Sequence, residues 1–159
     1  DVELSFKENI PEDILKNDVI ENISWTPNVT IQNSVITHIP TRGILVTTRG
    51  KVLVENNKFD KTHMSGILIS DDANSWFESG YVRDVNIRNN EFIDCGSPVI
   101  NIHPENSETV RGKAVHKNIL INNNRFKLNE NRLLSAKSTD NIQLNNNNIE
   151  VSEKVKIDD

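Results

Sequence analysis

One cysteine in 159 residues excludes an intrachain disulfide framework and any zinc site built on cysteines. Long apolar runs are missing too: nothing approaches the roughly 18 consecutive apolar residues of a membrane-spanning helix. Basic residues, 18 against 23 acidic ones, leave a formal net charge of -5. That balance argues against a general nucleic-acid binder, whose affinity rests on Lys and Arg paired to phosphates. The chain opens Asp1-Val2-Glu3 with no signal-peptide pattern, so a targeting segment would lie outside these residues. Hydrophobic residues make up only 35%, and the length suits one domain rather than two separate cores. What the chain has in excess is asparagine, 24 residues of it.

Low hydrophobicity with abundant Asn can mark a disordered, prion-like segment. Here the Asn are placed, not scattered. Five times the chain writes apolar-x-apolar-x-Asn, with another apolar residue three positions on. The instances are Val29-Thr-Ile31-Gln-Asn33 with Ile36, Val52-Leu-Val54-Glu-Asn56 with Phe59, and Val85-Asn-Ile87-Arg-Asn89 with Phe92. Ile119-Leu-Ile121-Asn-Asn123 with Phe126 and Ile142-Gln-Leu144-Asn-Asn146 with Ile149 complete the set. Alternation of β-branched residues predicts half-buried strands, and Asn accepts the left-handed conformation of a sharp corner.

A second strand is predicted at fixed distance from each anchor Asn. Ile44, Ile67, Ile100 and Leu134 stand eleven positions on, and Val46, Ile69, Ile102 and Ala136 thirteen. The anchors run 33, 56, 89, 123, 146, so the steps are 23, 33, 34 and 23 residues. The unit is a coil of 23 residues, and two successive coils carry insertions of about ten. Short strands at such a period, with no helical periodicity, describe a solenoid. The fold class is all-β: a right-handed parallel β-helix of five coils, with both insertions on one face, inward Val, Ile and Phe in columns, and corner Asn able to form hydrogen-bonded ladders. The competing leucine-rich repeat would show a different Leu spacing and a helical segment.

Three stretches follow. Residues 1–27 form a lead-in strand and turn segment, in which Val2, Leu4 and Phe6 alternate and Pro11 could open a short helical turn. Residues 28–151 are the coils, and 152–159 a charged tail. Neither end carries a strong cap, so the stretch reads as a section of a longer β-helix, with coil ends prone to self-association.

Chemistry is expected in the insertions, Asp71 to Tyr81 and His103 to Lys113, because loops that leave a solenoid build one face. Both depart just after the second strand. Asp71 and Asp72 lie fifteen and sixteen positions past Asn56, Glu105 sixteen past Asn89, and His103 level with Ser70. With coils about 4.8 Å apart, three carboxylates share a patch beside Trp76, Glu78 and His103. Crowded carboxylates raise one another's pKa, which is how one site supplies both an acid and a base. Glycoside hydrolysis uses such a pair around a sugar, and Trp can form an apolar platform for the ring. The plainer readings are that Asp71-Asp72 is a turn former with Asx hydrogen bonds, His103 a packed corner residue, and Trp76-Phe77 a plug over the coil. A carboxylate–His103 metal site has no tight ligand spacing behind it. Arg111, Lys113 and His116 are the basic candidates for a lyase, while Arg42 and Arg49 flank the second strand of the first coil as solvated charges.

The segments Arg42-Gly-Ile-Leu-Val-Thr-Thr-Arg-Gly-Lys-Val-Leu-Val-Glu-Asn-Asn57, Gly66-Ile-Leu-Ile-Ser-Asp-Asp-Ala-Asn-Ser-Trp-Phe-Glu-Ser-Gly80 and Val82-Arg-Asp-Val-Asn-Ile-Arg-Asn-Asn-Glu-Phe92 are more specific. With Trp25-Thr-Pro-Asn-Val-Thr-Ile31 and Ile102-His-Pro-Glu-Asn106, they resemble the bacterial exo-α-1,3-galactosidases of glycoside hydrolase family 110. The resemblance covers roughly residues 22–150. It implies removal of terminal α-1,3-linked galactose from glycans, with inversion, no metal and no other cofactor, in a secreted or periplasmic bacterial protein. It also implies that Asp71, Asp72 and Glu105 belong to the catalytic carboxylates, and that Trp76, Glu78, His103 and Arg49 touch sugar. Family members are several times longer. The other readings are a non-catalytic β-helix that binds glycan or serves as a structural module, and a pectin-type lyase dependent on Ca²⁺.

Overall fold

A computed structural model describes residues 3–12, 14, 16, 18–73, 75–78, 80–106, 112–129 and 132–152. Five successive coils run through it, and each of the first four lays down three short strands: β1 Val29–Gln32, β2 Val35–Thr37 and β3 Ile44–Val46, then β4 Val52–Glu55, β5 Lys58–Asp60 and β6 Ile67–Ile69. The third coil holds β7 Val85–Arg88, β8 Glu91–Ile93 and β9 Ile100–Ile102, and the fourth β10 His116–Asn122, β11 Arg125–Leu128 and β12 Leu134–Ala136. The fifth adds β13 Thr139–Asn145 and β14 Asn148–Val151. Equivalent strands pair in parallel into three sheets, ordered β1-β4-β7-β10-β13, β14-β11-β8-β5-β2 and β12-β9-β6-β3.

The register is that of the repeat. Val29, Val52, Val85, Ile119 and Ile142 face one another along the first sheet, as do Ile31, Val54, Ile87, Ile121 and Leu144. The third sheet aligns Ile44, Ile67, Ile100 and Leu134. Sequence reading distinguishes two strands per coil, and the structure has three. The apolar residue three past each anchor is the centre of a strand in its own right (Phe59 of β5, for example), too short to show alternation.

The thin core follows from those columns. Phe59, Phe92 and Phe126 are fully buried and stacked, with ring centroids 4.7 and 4.9 Å apart and planes within 8° and 5°. The coil spacing matches ring-on-ring distance, so one Phe in each of the three middle coils fills the cross-section, and ring stacking adds to the burial.

Asn serves the first corner in two different ways. The anchors Asn33, Asn56, Asn89, Asn123 and Asn146 sit at φ of 53–55°. The ladder belongs to the next residue along. Asn57 Nδ2 donates to Asn90 Oδ1 (3.0 Å), Asn90 Nδ2 to Asn124 Oδ1 (3.0 Å), and Asn124 Nδ2 to Asn147 Oδ1 (3.0 Å). Each ladder oxygen also accepts the backbone N–H of the Asn before it, at 2.9 Å. Buried polar groups are thereby paired along the axis rather than left desolvated.

Before the coils, the strand expected around Leu4 and Phe6 is not formed among the described residues. A turn with Ile14 N–H on the Pro11 carbonyl (3.3 Å) and a 3₁₀ turn at Ile23–Trp25, capped by Asn22, take its place. Leu4, Phe6, Ile10 and Ile20 are exposed there, so little apolar burial supports a strand. The tail from residue 153 on lies outside the described residues.

Candidate functional site

Both insertions leave the third corner, between the third sheet and the next turn of the first. The regular ladder runs into it: Ser70 N–H bonds the Val46 carbonyl (3.1 Å), His103 N–H the Ile69 carbonyl (2.9 Å), and Lys137 N–H the Ile102 carbonyl (2.9 Å). Pro104 has no N–H to offer. The next bond comes from Glu105, whose N–H reaches the Asp71 carbonyl at 3.1 Å and Asp71 Oδ1 at 3.3 Å. Asp71 and Glu105 therefore sit on adjoining coils, joined through backbone and side chain.

Asp72 begins a small hairpin. Its N–H and carbonyl pair with those of Glu78, at 2.5 and 2.8 Å, closing an isolated antiparallel bridge. Its carboxylate accepts the Ser75 N–H at 2.8 Å and the Ser75 hydroxyl. This is the turn-forming arrangement that Asp at a strand end commonly adopts. Trp76 and Phe77 stand at the tip, 77% and 79% exposed, with Phe77 at φ 59°. At the hairpin's return, Gly80 passes so close to the first coil that an added Cβ would lie 1.7 Å from the Thr47 carbonyl oxygen.

The two aspartates differ in environment. Partial burial pushes the Asp71 carboxyl above its ordinary value, and the charges of Asp72 and Glu105 push the same way, against the hydrogen bond from Glu105 N–H that favours the ionised form. His103 Nε2 lies 3.8 Å from Glu105 Oε1, both half exposed. Asp71, Asp72, Glu105 and His103 are thus brought into one patch, with Glu78 at the hairpin base.

Arg49 is placed differently. Its Nε donates to Glu21 Oε2 at 2.5 Å, and its guanidinium lies 4.3 Å from the Tyr81 ring centroid. Arg83 approaches the same ring at 4.8 Å and bonds the Val115 carbonyl at 2.7 Å. Arg49, Tyr81 and Arg83 brace the foot of the hairpin through cation–π contacts. His116 is fully buried, with Nδ1 accepting the Val82 N–H at 3.2 Å, which leaves the proton on Nε2 in the neutral ring. Burial, and then the charge of Arg83, lower its pKa to about 4. A neutral ring walled into the core cannot meet substrate. Arg111, in the part of the second insertion at 107–111, lies outside the described residues, and Lys113 is exposed.

Sequence reasoning missed Ser70, Tyr81 and Lys137. Ser70 Oγ donates to the His103 carbonyl at 2.7 Å, and Lys137 Nζ to the carbonyls of Pro104 and Asn106. Counting places Ser70 and Lys137 in register with His103, each fourteen past an anchor, but gives neither of their bonds to the 103–106 loop.

The family model described as a right handed beta helix region matches residues 19–157. The chain belongs to that family. Among curated relatives, this β-helix is 45% identical to the alpha-1,3-galactosidase A of Bacteroides thetaiotaomicron, covering 92% of the chain and 26% of the relative. It is 44% identical to the alpha-1,3-galactosidase A of Akkermansia muciniphila, covering 92% and 24%. The alpha-1,3-galactosidase B of the same organism is 36% identical, covering 96% and 20%. The β-helix spans about a quarter of the length of the first two of these relatives, and both insertions lie within the range of the resemblance.

Proposed function

We propose that this β-helix is the carboxylate-bearing part of an exo-α-1,3-galactosidase that releases terminal galactose from glycans with inversion. The observation that carries the reading is the 45% identity, over 92% of the chain, to a protein named alpha-1,3-galactosidase A. In this mechanism Asp71, with Asp72 beside it, takes a proton from a water molecule whose oxygen attacks the anomeric carbon. The glycosidic bond breaks as a second carboxyl protonates the leaving oxygen, and Glu105 on the adjoining coil is the group for that step. Partial burial brings the pKa of the Asp71 carboxyl closer to the operating pH, where proton transfer in either direction is more efficient. Trp76, Glu78, His103 and Arg49 are the proposed sugar contacts, without metal or other cofactor, in a secreted or periplasmic bacterial protein.

Incubating the chain with Galα1,3Gal and following the anomeric protons by NMR tests this. β-Galactose should appear first, and Asp71→Asn should lower kcat by about 10²–10⁴-fold. Initial release of α-galactose would refute inversion, and undiminished turnover by Asp71→Asn would refute the role of that carboxylate. A second reading, a β-helix that binds glycan without cleaving it, is favoured by the bare aromatic pair Trp76 and Phe77. Saturable binding with no galactose released would select it.

A further inference from the structure

Lys137 occupies in the fourth coil the place that Thr47, Ser70 and His103 occupy in the three before it. Its side chain runs back toward the third coil. The ammonium donates to the Pro104 carbonyl at 3.0 Å and to the Asn106 carbonyl at 2.8 Å. Those two carbonyls flank Glu105. On the opposite side, Ser70 Oγ holds the His103 carbonyl at 2.7 Å, and Asp71 accepts the Glu105 N–H through its carbonyl at 3.1 Å. The segment 103–106 is therefore fastened to the coil before it by Ser70 and Asp71, and to the coil after it by Lys137.

Lys137 is half buried, where Lys usually lies along the surface with its ammonium in water. Here it spends two of its three donors on carbonyls two residues apart in one loop. The ladder to the coil before continues in its regular alternation, from His103 to Glu105, but Pro104 offers no N–H to the coil after. On that side the loop is held through its carbonyls, which the Lys137 ammonium bridges across the carboxylate-bearing residue.

We propose that Lys137 is a positioning residue for Glu105, setting where its carboxyl stands relative to Asp71 by clamping the Pro104–Asn106 backbone. The inference rests on the galactosidase reading above and adds a residue to it. Loss of this clamp misplaces a reacting group without removing it, and a displacement near 1 Å can cost about 10²-fold in rate.

Lys137→Met keeps the stem and removes the donors, whereas Lys137→Arg restores them. Two measurements on the chain separate the possibilities. In amide hydrogen exchange, Lys137→Met should speed the Glu105 amide by about tenfold or more while the β8 amides stay as they are, and Lys137→Arg should remain near the parent. In galactose release, kcat should fall by about ten- to a hundredfold at nearly constant KM, with most of it recovered in Lys137→Arg. Unchanged exchange at Glu105 overturns the clamp. Faster exchange with unchanged kcat overturns the positioning role and leaves the galactosidase reading standing. A parent chain that releases no galactose overturns that reading itself, and the catalytic purpose of Lys137 with it, whatever the exchange shows.

Discussion

At the first corner every coil repeats one solution: an Asn at φ of 53–55°, followed in four coils by a second Asn whose amide joins a ladder. At the third corner no two coils agree. The first turns through Thr47 to Lys51, the second sends out a hairpin from Asp72, the third carries an insertion after His103 anchored through Glu105, and the fourth places Lys137 there. The first corner is built for stability and satisfies its polar groups within the stack. The third leaves the Asp71 carboxyl partly desolvated beside two other carboxylates and exposes two aromatic rings. Identical neighbours can only stabilise one another, whereas chemistry needs neighbours that differ.

That contrast can be broken most strongly from the stability side. Asn90→Ala removes the acceptor of the Asn57 N–H and amide and the donors to the Val54 carbonyl and Asn124. Orphaned buried groups cost about 1–3 kcal/mol each, so urea unfolding should show a loss of about 2–4 kcal/mol with little change in slope. A loss below about 0.5 kcal/mol would mean that the ladder decorates a stack held by Phe59, Phe92 and Phe126 alone.

His116 gives an intermediate effect. Its folded pKa, about 4, lies below the ordinary 6.5, so the unfolded chain takes up the proton first as pH falls. Its contribution is whole above pH 6.5 and is lost as pH drops toward 4. A Tm measured between those values should decline more steeply in the parent than in His116→Phe.

The smallest effect has the opposite sign. Burial raises the Asp71 pKa from 3.8, so the folded state disfavours its charge once pH exceeds that of the unfolded carboxyl. Asp71→Asn keeps an oxygen for the Glu105 N–H and should slightly raise Tm at pH 7, with no gain below about pH 4. A destabilised Asp71→Asn would place this residue with the structural corners instead.

Much of this molecule could be read by counting. The 23-residue step, the facing columns and the point of departure of both insertions are all visible, because a parallel stack transmits register unchanged from coil to coil. The three strands per coil were not visible, since a three-residue strand such as Glu91–Ile93 has one inward side chain and no period. Nor was the second corner, where His38, Lys61 and Asp94 take φ of 53, 55 and 49° without any Asn to mark the place. Within the candidate site, the neighbourhood of Asp71, Asp72 and Glu105 followed from offsets of fifteen and sixteen. Their division of labour did not: Asp72 bonds Ser75 within its own exposed turn while Asp71 faces Glu105. Arg49 looked like a solvated charge or a sugar contact, and its ties to Glu21 and Tyr81 run across 28 and 32 positions of sequence.

By itself, then, the sequence determined the β-helix, its register and the corner at which the acidic residues gather, because these depend on periodic burial, which is local and additive. Tertiary structure alone decided which carboxylate is desolvated, which is spent on a turn, and which lysine holds the loop of Glu105. Those depend on loops that break the period, where the partner of each group is set by distance in space and by the bond that Pro104 cannot make.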